Sequence, residues 1–142
     1  MTTPPATDCE LCRAEGGRVL WRDLLLRVIV VDEPDYPGFC RVIVNRHVAE
    51  MTDLPVEERD AVMRAVYAVE AALRETMRPD KINLASLGNM VPHLHWHVIP
   101  RFRGDRHFPA AIWAAPARSA AQRACDVDRL AAAIGRHLGA GR

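Results

Sequence analysis

Apolar and polar positions alternate along this chain at two different spacings, and the changes between them mark out its elements. Val19-Leu20-Trp21 and then Leu24 to Val31 read as two short strands around the polar pair Arg22-Asp23. Pro34, Pro37 and Gly38 break the run and signal a turn; Phe39 to Val44 then returns as the second strand of a hairpin. From Pro55 to Met77 the spacing lengthens, with Val62, Val66, Val69, Leu73 and Met77 recurring at steps of three or four, the period of a helix with one buried face. Pro55 suits the first turn, Glu57 and Glu58 suit the positive end of the helix dipole, and Arg78-Pro79 ends the run. Ile82 to Leu87 predicts another strand and Gly88-Asn89 a turn or kink. Residues 102–118, with Pro109 and Pro116, predict irregular chain, and Ala120 to Leu138 a closing helix striped by Val127, Leu130, Ile134 and Leu138. Strands around one long helix, then more strands and a tail helix, predict an α+β fold.

The strictest alternation is at 93–99, His93-Leu94-His95-Trp96-His97-Val98-Ile99. Alternate side chains of a strand share a face, so the three histidines are expected together on one side, with Leu94, Trp96 and Val98 turned to the core. Imidazole serves as nucleophile, proton carrier or metal ligand near neutral pH. Burying three of them without a task costs desolvation three times, and they lie mid-chain, where no purification tag would be.

Composition narrows the field. The 142 residues suit one domain, and the 49% hydrophobic content is that of an ordinary globular protein. No apolar run is long enough to cross a bilayer. Residues 1–8, with Pro4 and Pro5, read as a loose polar start without the basic and apolar segments of a signal peptide, so a cytoplasmic, reducing compartment is expected. A net charge of +1 gives no broad field for nucleic acid or membrane, and a small anionic ligand fits better. Of the four cysteines, Cys40 and Cys125 sit in apolar runs as packing residues. Cys9 and Cys12 form a Cys-x-x-Cys pair, either half of a tetrahedral metal site or two free thiols.

The string from His93 to Ile99 resembles the signature of the histidine triad (HIT) family, in which three histidines alternate with apolar residues. The resemblance extends upstream through Asn83, Gly88, Asn89 and Asn45-Arg46-His47, covers roughly residues 9–113, and implies a single HIT-like domain over 1–142. It implies an antiparallel sheet with helices on one side, usually in a homodimer. The implied activity is a nucleotide hydrolase or nucleotidyl transferase, cleaving at the α-phosphate of dinucleoside polyphosphates or nucleoside phosphoramidates through a nucleotidyl-histidine intermediate. A nucleotide-binding regulatory protein without catalysis, or a metalloenzyme using the triad as ligands, are the alternatives. By resemblance His95 is the nucleophile, its second nitrogen held by a backbone carbonyl, and His97 contacts the α-phosphate and assists proton transfer. Asn83 and Asn89 match amides that donate to phosphate oxygens, though both also suit turns. Asp32 matches an acid that binds ribose hydroxyls, or simply starts a turn; Leu24, Leu26, Val28 and Val30 alternate beside it as candidate walls for a base. Cys9, Cys12, His47 and His93 match the ligands of a structural zinc ion in some relatives. One departure stands out: many relatives have histidine where this chain has Phe39, which removes a hydrogen bond beside the triad. Arg101 and Arg103 read as surface residues or as phosphate contacts, and His107 and Trp113 resemble a C-terminal patch of a subset of relatives.

Overall fold

The computed structural model describes residues 8–139 and Gly141; apart from Asp8, the loose start expected for residues 1–8 lies outside the described residues. Five strands form one antiparallel sheet: β1 (Arg18–Arg22), β2 (Leu26–Val30), β3 (Cys40–Val44), β4 (Lys81–Ala85) and β5 (His95–Arg101), in the order β1-β2-β3-β5-β4. A four-residue helix, α1 (Glu10–Arg13), precedes them; α2 (Val56–Met77) crosses from β3 to β4, and α3 (Val127–Leu138) closes the chain. The α+β architecture is the one the alternation predicts.

The period of two decides which side of the sheet is the core. Leu26, Val28, Val30, Val42, Val44, Leu94 and Val98 pack in one cluster with Val62, Val66, Val69 and Leu73 of α2 and Leu130 and Ile134 of α3. This narrows the base-pocket expectation: Leu26 and Val28 are buried under the helices and Leu24 is exposed to solvent, while Val30 also lines a cavity with Asp32. The opposite face carries the intervening residues, among them Arg27, Ile29, Arg41, Ile43, His95, His97, Ile99 and Arg101. At the start of β3, Gly38 has φ 85°, and a Cβ there would collide with the Met77 sulfur, so the end of α2 lies directly on the hairpin turn.

Several element boundaries differ from expectation: β2 starts at Leu26 rather than Leu24, β4 ends at Ala85 rather than Leu87, and two others have clear causes. The closing helix begins at Val127 rather than Ala120, because the Asp126 carboxylate accepts a hydrogen bond from the Arg129 N–H at 3.1 Å and caps the helix there. Upstream, the apolar stripe is missing, and Arg123 instead lays its guanidinium over the Phe102 ring at 3.5 Å. The triad strand begins at His95 rather than His93. The backbone before it is committed to tight bonds, His93 N to Val91 O and Leu94 N to Val48 O, both at 2.8 Å, which turn His93 out of the sheet.

Candidate functional site

His95 and His97 emerge two residues apart on β5, on the face away from α2, and are 7% and 5% exposed. The His95 Nδ1–H donates to the His93 carbonyl at 2.5 Å, which leaves Nε2 as the ring nitrogen with a free lone pair. Burial holds the His95 pKa below its ordinary value, against the pull of that hydrogen bond, so the lone pair is available at neutral pH. The His97 ring lies edge-on to His95, centroids 4.9 Å apart, and the Trp113 ring stands edge-on to His97 at 5.1 Å. Arg41, directly opposite His97 on β3, donates from Nε to His97 Nδ1 at 3.4 Å, so the other His97 nitrogen carries the proton. Burial, with His95 and Arg41 adding to it, pushes the His97 pKa down to about 4.

These groups line one cleft of about 350 Å³ whose rim is Leu87 to Val91 and Glu10-Leu11 of α1. The structure brings Asn89 into this cleft with His95 and His97. Asn83 and Asp32 are placed otherwise. Asn83 is half-buried, and its side-chain oxygen accepts from Arg101 Nη1 at 2.7 Å. Asp32 is exposed and lines a separate cavity of about 400 Å³ with Arg18, Pro34, Cys125 and Val127. Phe39 packs against His97 at 5.7 Å between ring centroids, with the Arg41 guanidinium 5.5 Å from its ring, so it contributes an apolar shelf where the resemblance expects a hydrogen bond.

The first triad histidine belongs to a different centre. The His93 Nδ1 lies 3.5 Å from the sulfurs of Cys9 and Cys12 and 3.3 Å from His47 Nδ1, while Cys12 Sγ lies 3.3 Å from His47 Nδ1. All four donor atoms fall within 4.8 Å of one another. A tetrahedron with metal–sulfur bonds of about 2.3 Å and metal–nitrogen bonds of about 2.0 Å has edges of roughly 3.3–3.8 Å, so the cluster has the dimensions of a closed four-ligand site. His93 Nε2 is anchored on the Val44 carbonyl at 2.6 Å, an outer contact that turns the Nδ1 lone pair toward the two sulfurs.

Sequence reasoning missed three parts of this region. Arg101 is 1% exposed, not a surface residue: it pairs with Asp105 at 2.8 Å and donates to Asn83 and to the Ala110 carbonyl. His107 joins the same buried group, its Nδ1 2.6 Å from the Tyr36 hydroxyl. Arg41 was legible only as a charge interrupting the apolar run from Phe39 to Val44. Arg103 stays on the surface, where its backbone N–H reaches Asp80 at 2.8 Å.

An antiparallel sheet with its two long helices on one face and imidazoles on an interior strand of the other defines a class of small α+β proteins. The chain belongs to the HIT family, whose domain matches residues 15–104. It is 29% identical over 114 residues to an Ap4A phosphorylase of Mycobacterium tuberculosis, covering 76% of this chain and 58% of that protein. It is 30% identical over 95 residues to an asymmetrical bis(5'-nucleosyl)-tetraphosphatase of Schizosaccharomyces pombe, covering 63% of this chain and 52% of that one. The chain thus spans about half the length of these curated relatives. The structure superimposes on a histidine triad protein from Bradyrhizobium japonicum with a TM-score of 0.70 and 29% identity, over 87% of this chain and 92% of the other.

Proposed function

We propose that this HIT protein is a nucleotide hydrolase or nucleotidyl transferase acting at the α-phosphate of dinucleoside polyphosphates or nucleoside phosphoramidates. The observation that carries the reading is the hydrogen bond from His95 Nδ1 to the His93 carbonyl, which fixes the tautomer a nucleophile needs. The Nε2 lone pair attacks the α-phosphorus, and the bond to the leaving group breaks with its electron pair on the leaving atom. The nucleotidyl-histidine is then attacked by water: the phosphorus–nitrogen bond breaks, its electrons return to Nε2, a nucleoside monophosphate leaves with the water oxygen, and the proton the water loses passes to solvent. The His97 N–H donates to a non-bridging oxygen as charge builds on it, and the Asn89 amide adds a second, uncharged donor from the rim. Asn83 is bound to Arg101, and neither it nor Asp32 lines the cleft, so the proposal rests on His95, His97 and Asn89. The names of the relatives, phosphorylase and tetraphosphatase, point to the same bond class.

Cys9, Cys12, His47 and His93 would hold zinc as a structural ion, for which two thiolates and two imidazoles are a common donor set. When bound, the ion supplies folding energy by tying α1 to the triad segment. We also propose a homodimer through β4 and α2: β4 is an edge strand, and Leu84 and Leu87 on and after it and Tyr67 of α2 are exposed.

Turnover of diadenosine tetraphosphate and of a fluorogenic adenosine phosphoramidate tests the enzymatic reading. The wild type is expected to turn over at least one of them, and His95→Ala to lose about three orders of magnitude or more in kcat with its fold intact. Mass spectrometry of quenched reactions should find one adenylyl group on His95. Tight nucleotide binding without turnover would instead make the protein a binding module, and an adduct on another residue would overturn the role of His95.

A further inference from the structure

Four strand arginines stand on the site face of the sheet, and three of them are engaged, Arg22 with the Glu15 carboxylate. Arg27 faces Glu15 at 3.2 Å and donates to the carbonyls of Leu11, Ala14 and Glu15. Arg101 is locked between Asp105, Asn83 and the Ala110 carbonyl. Arg41 differs. It is half-buried, lines the cleft with His95 and His97, and rests on the Phe39 ring. Its Nε reaches only the His97 ring, and among the described residues no carboxylate forms an ion pair with it. The charge of Glu10, across the cleft, is felt at Arg41, but the two do not pair.

A guanidinium taken partly out of water without a counter-charge costs free energy, and its fork matches phosphate oxygens two at a time. Its position sets which phosphate. In an in-line displacement the leaving group departs on the side of phosphorus opposite the nucleophile, so its charge develops some ångströms beyond His95. Arg41 is opposite His97, one two-residue repeat from His95, about 6.7 Å of strand. The residue opposite His95 itself is Ile43, which offers no charge.

We propose that Arg41 is a specificity-determining residue that receives the phosphates beyond the α-phosphorus, so that the cleft selects nucleotides with a polyphosphate leaving group over those with an amine. The two leaving groups make different demands. When a phosphoanhydride breaks, the electron pair goes to the bridging oxygen and the product departs as an anion, which a fixed cation stabilises without any proton transfer. When a phosphoramidate breaks, the pair goes to nitrogen, which must take up a proton and gains nothing from a guanidinium. Arg41 is fixed for the first case by Phe39 and His97 on either side.

This inference rests on the nucleotide reading above, and the test keeps the two separable. Steady-state kcat/KM is measured for diadenosine tetraphosphate and for an adenosine phosphoramidate with wild type, Arg41→Gln and Arg41→Lys. In parallel, calorimetry gives the dissociation constants of AMP and ADP for each protein. The loss of one charge-assisted contact predicts that the ratio of the two kcat/KM values moves by about 10- to 100-fold against the tetraphosphate in Arg41→Gln. The preference for ADP over AMP should shrink by a similar factor, with Arg41→Lys falling between. Equal loss on both substrates, or an unchanged ADP-to-AMP ratio in a folded variant, would overturn the proposal. If the wild type turns over neither substrate, the catalytic reading fails on its own, and the ADP-to-AMP ratio still decides the role of Arg41. A variant that no longer binds AMP at all places Arg41 at the α-phosphate or in the fold, and that result also overturns it.

Discussion

Asp105 is where a single substitution should cost most outside the core. It is 7% exposed, and its carboxylate accepts from Arg101 Nε at 2.8 Å and Nη2 at 3.0 Å, and from the Phe102, His107 and Phe108 backbone N–H groups at 3.1, 3.1 and 2.8 Å. The Tyr36 hydroxyl adds a longer contact at 3.3 Å. Burial alone would raise its pKa, but the Arg101 guanidinium and the three N–H donors outweigh it and hold the carboxyl well below the usual carboxylate range. Asp105→Ala leaves a buried guanidinium without its counter-charge and orphans three backbone donors, a change of about 3–5 kcal/mol for a broken buried pair. Against the 5–15 kcal/mol typical of a domain, that leaves the variant folded but marginal. Asp105→Asn keeps the shape and one acceptor oxygen, so it should lose about half as much. Urea titration followed by tryptophan fluorescence gives both values. Because the folded pKa is depressed, the carboxylate's contribution is complete above the ordinary value of 3.8 and is lost as pH falls below it, so the cost of Asp105→Asn should shrink in acid. A cost below about 1 kcal/mol for Asp105→Ala at pH 7 would refute the reasoning, since it would mean that Arg101 keeps adequate partners without the carboxylate.

The remaining predictions concern charge, metal and assembly. Burial lowers the folded pKa of His97 from 6.5 to about 4, so the unfolded chain takes the proton first; its share of stability is complete above pH 6.5 and lost as pH drops toward 4. Between pH 7 and 5 this is worth about 2 kcal/mol, and His97→Phe should lessen the acid sensitivity seen in denaturant titrations; an unchanged pH profile would refute it. Metal analysis of protein purified without chelator should give about one zinc per chain, and joint Cys9→Ala and Cys12→Ala substitution should remove it and lower the melting temperature; equal stability without metal would reject the site. Light scattering should give about twice the 15.9 kDa chain mass, and Leu84→Glu on the edge strand should halve it; a wild-type monomer would reject the dimer.

The parts of the fold that were legible in sequence are those set by local period. Val62, Val66, Val69 and Leu73 announced α2 and its buried face, and each is fully buried. Leu94, Trp96 and Val98 announced the core side of β5, and all pack in the helix-facing cluster. The misreadings came where long-range contacts decide. Nothing local distinguishes Arg101 from Arg103, yet one is sealed by Asp105 and the other stays in water. Leu26 and Val28 of β2 are equally good walls for a base and for a core, and only the arrival of α2 and α3 decides between them. Arg41 illustrates the same point for the site, since its significance lies in standing opposite His97, 56 residues away along the chain.

By spacing alone the three triad histidines are equivalent, and their inequivalence in the structure is what makes the site coherent. His93 turns out of the sheet, and its ring is held on one side by the Val44 carbonyl and on the other by the Cys9, Cys12 and His47 cluster. Its own carbonyl then accepts the His95 Nδ1–H. A carbonyl on a residue with a free side chain could rotate away, and the His95 tautomer would be set only part of the time. One on a residue fixed at both ring nitrogens cannot move without disrupting contacts to four partners, Val44, Cys9, Cys12 and His47. The ring of His93 therefore belongs to the Cys9, Cys12 and His47 cluster while its backbone holds the His95 tautomer, so the orientation of His95 depends on side chains outside the cleft. A metal-sized cluster two residues from His95 has a positional consequence: it stiffens the acceptor that keeps His95 Nε2 unprotonated, the state the proposed function requires.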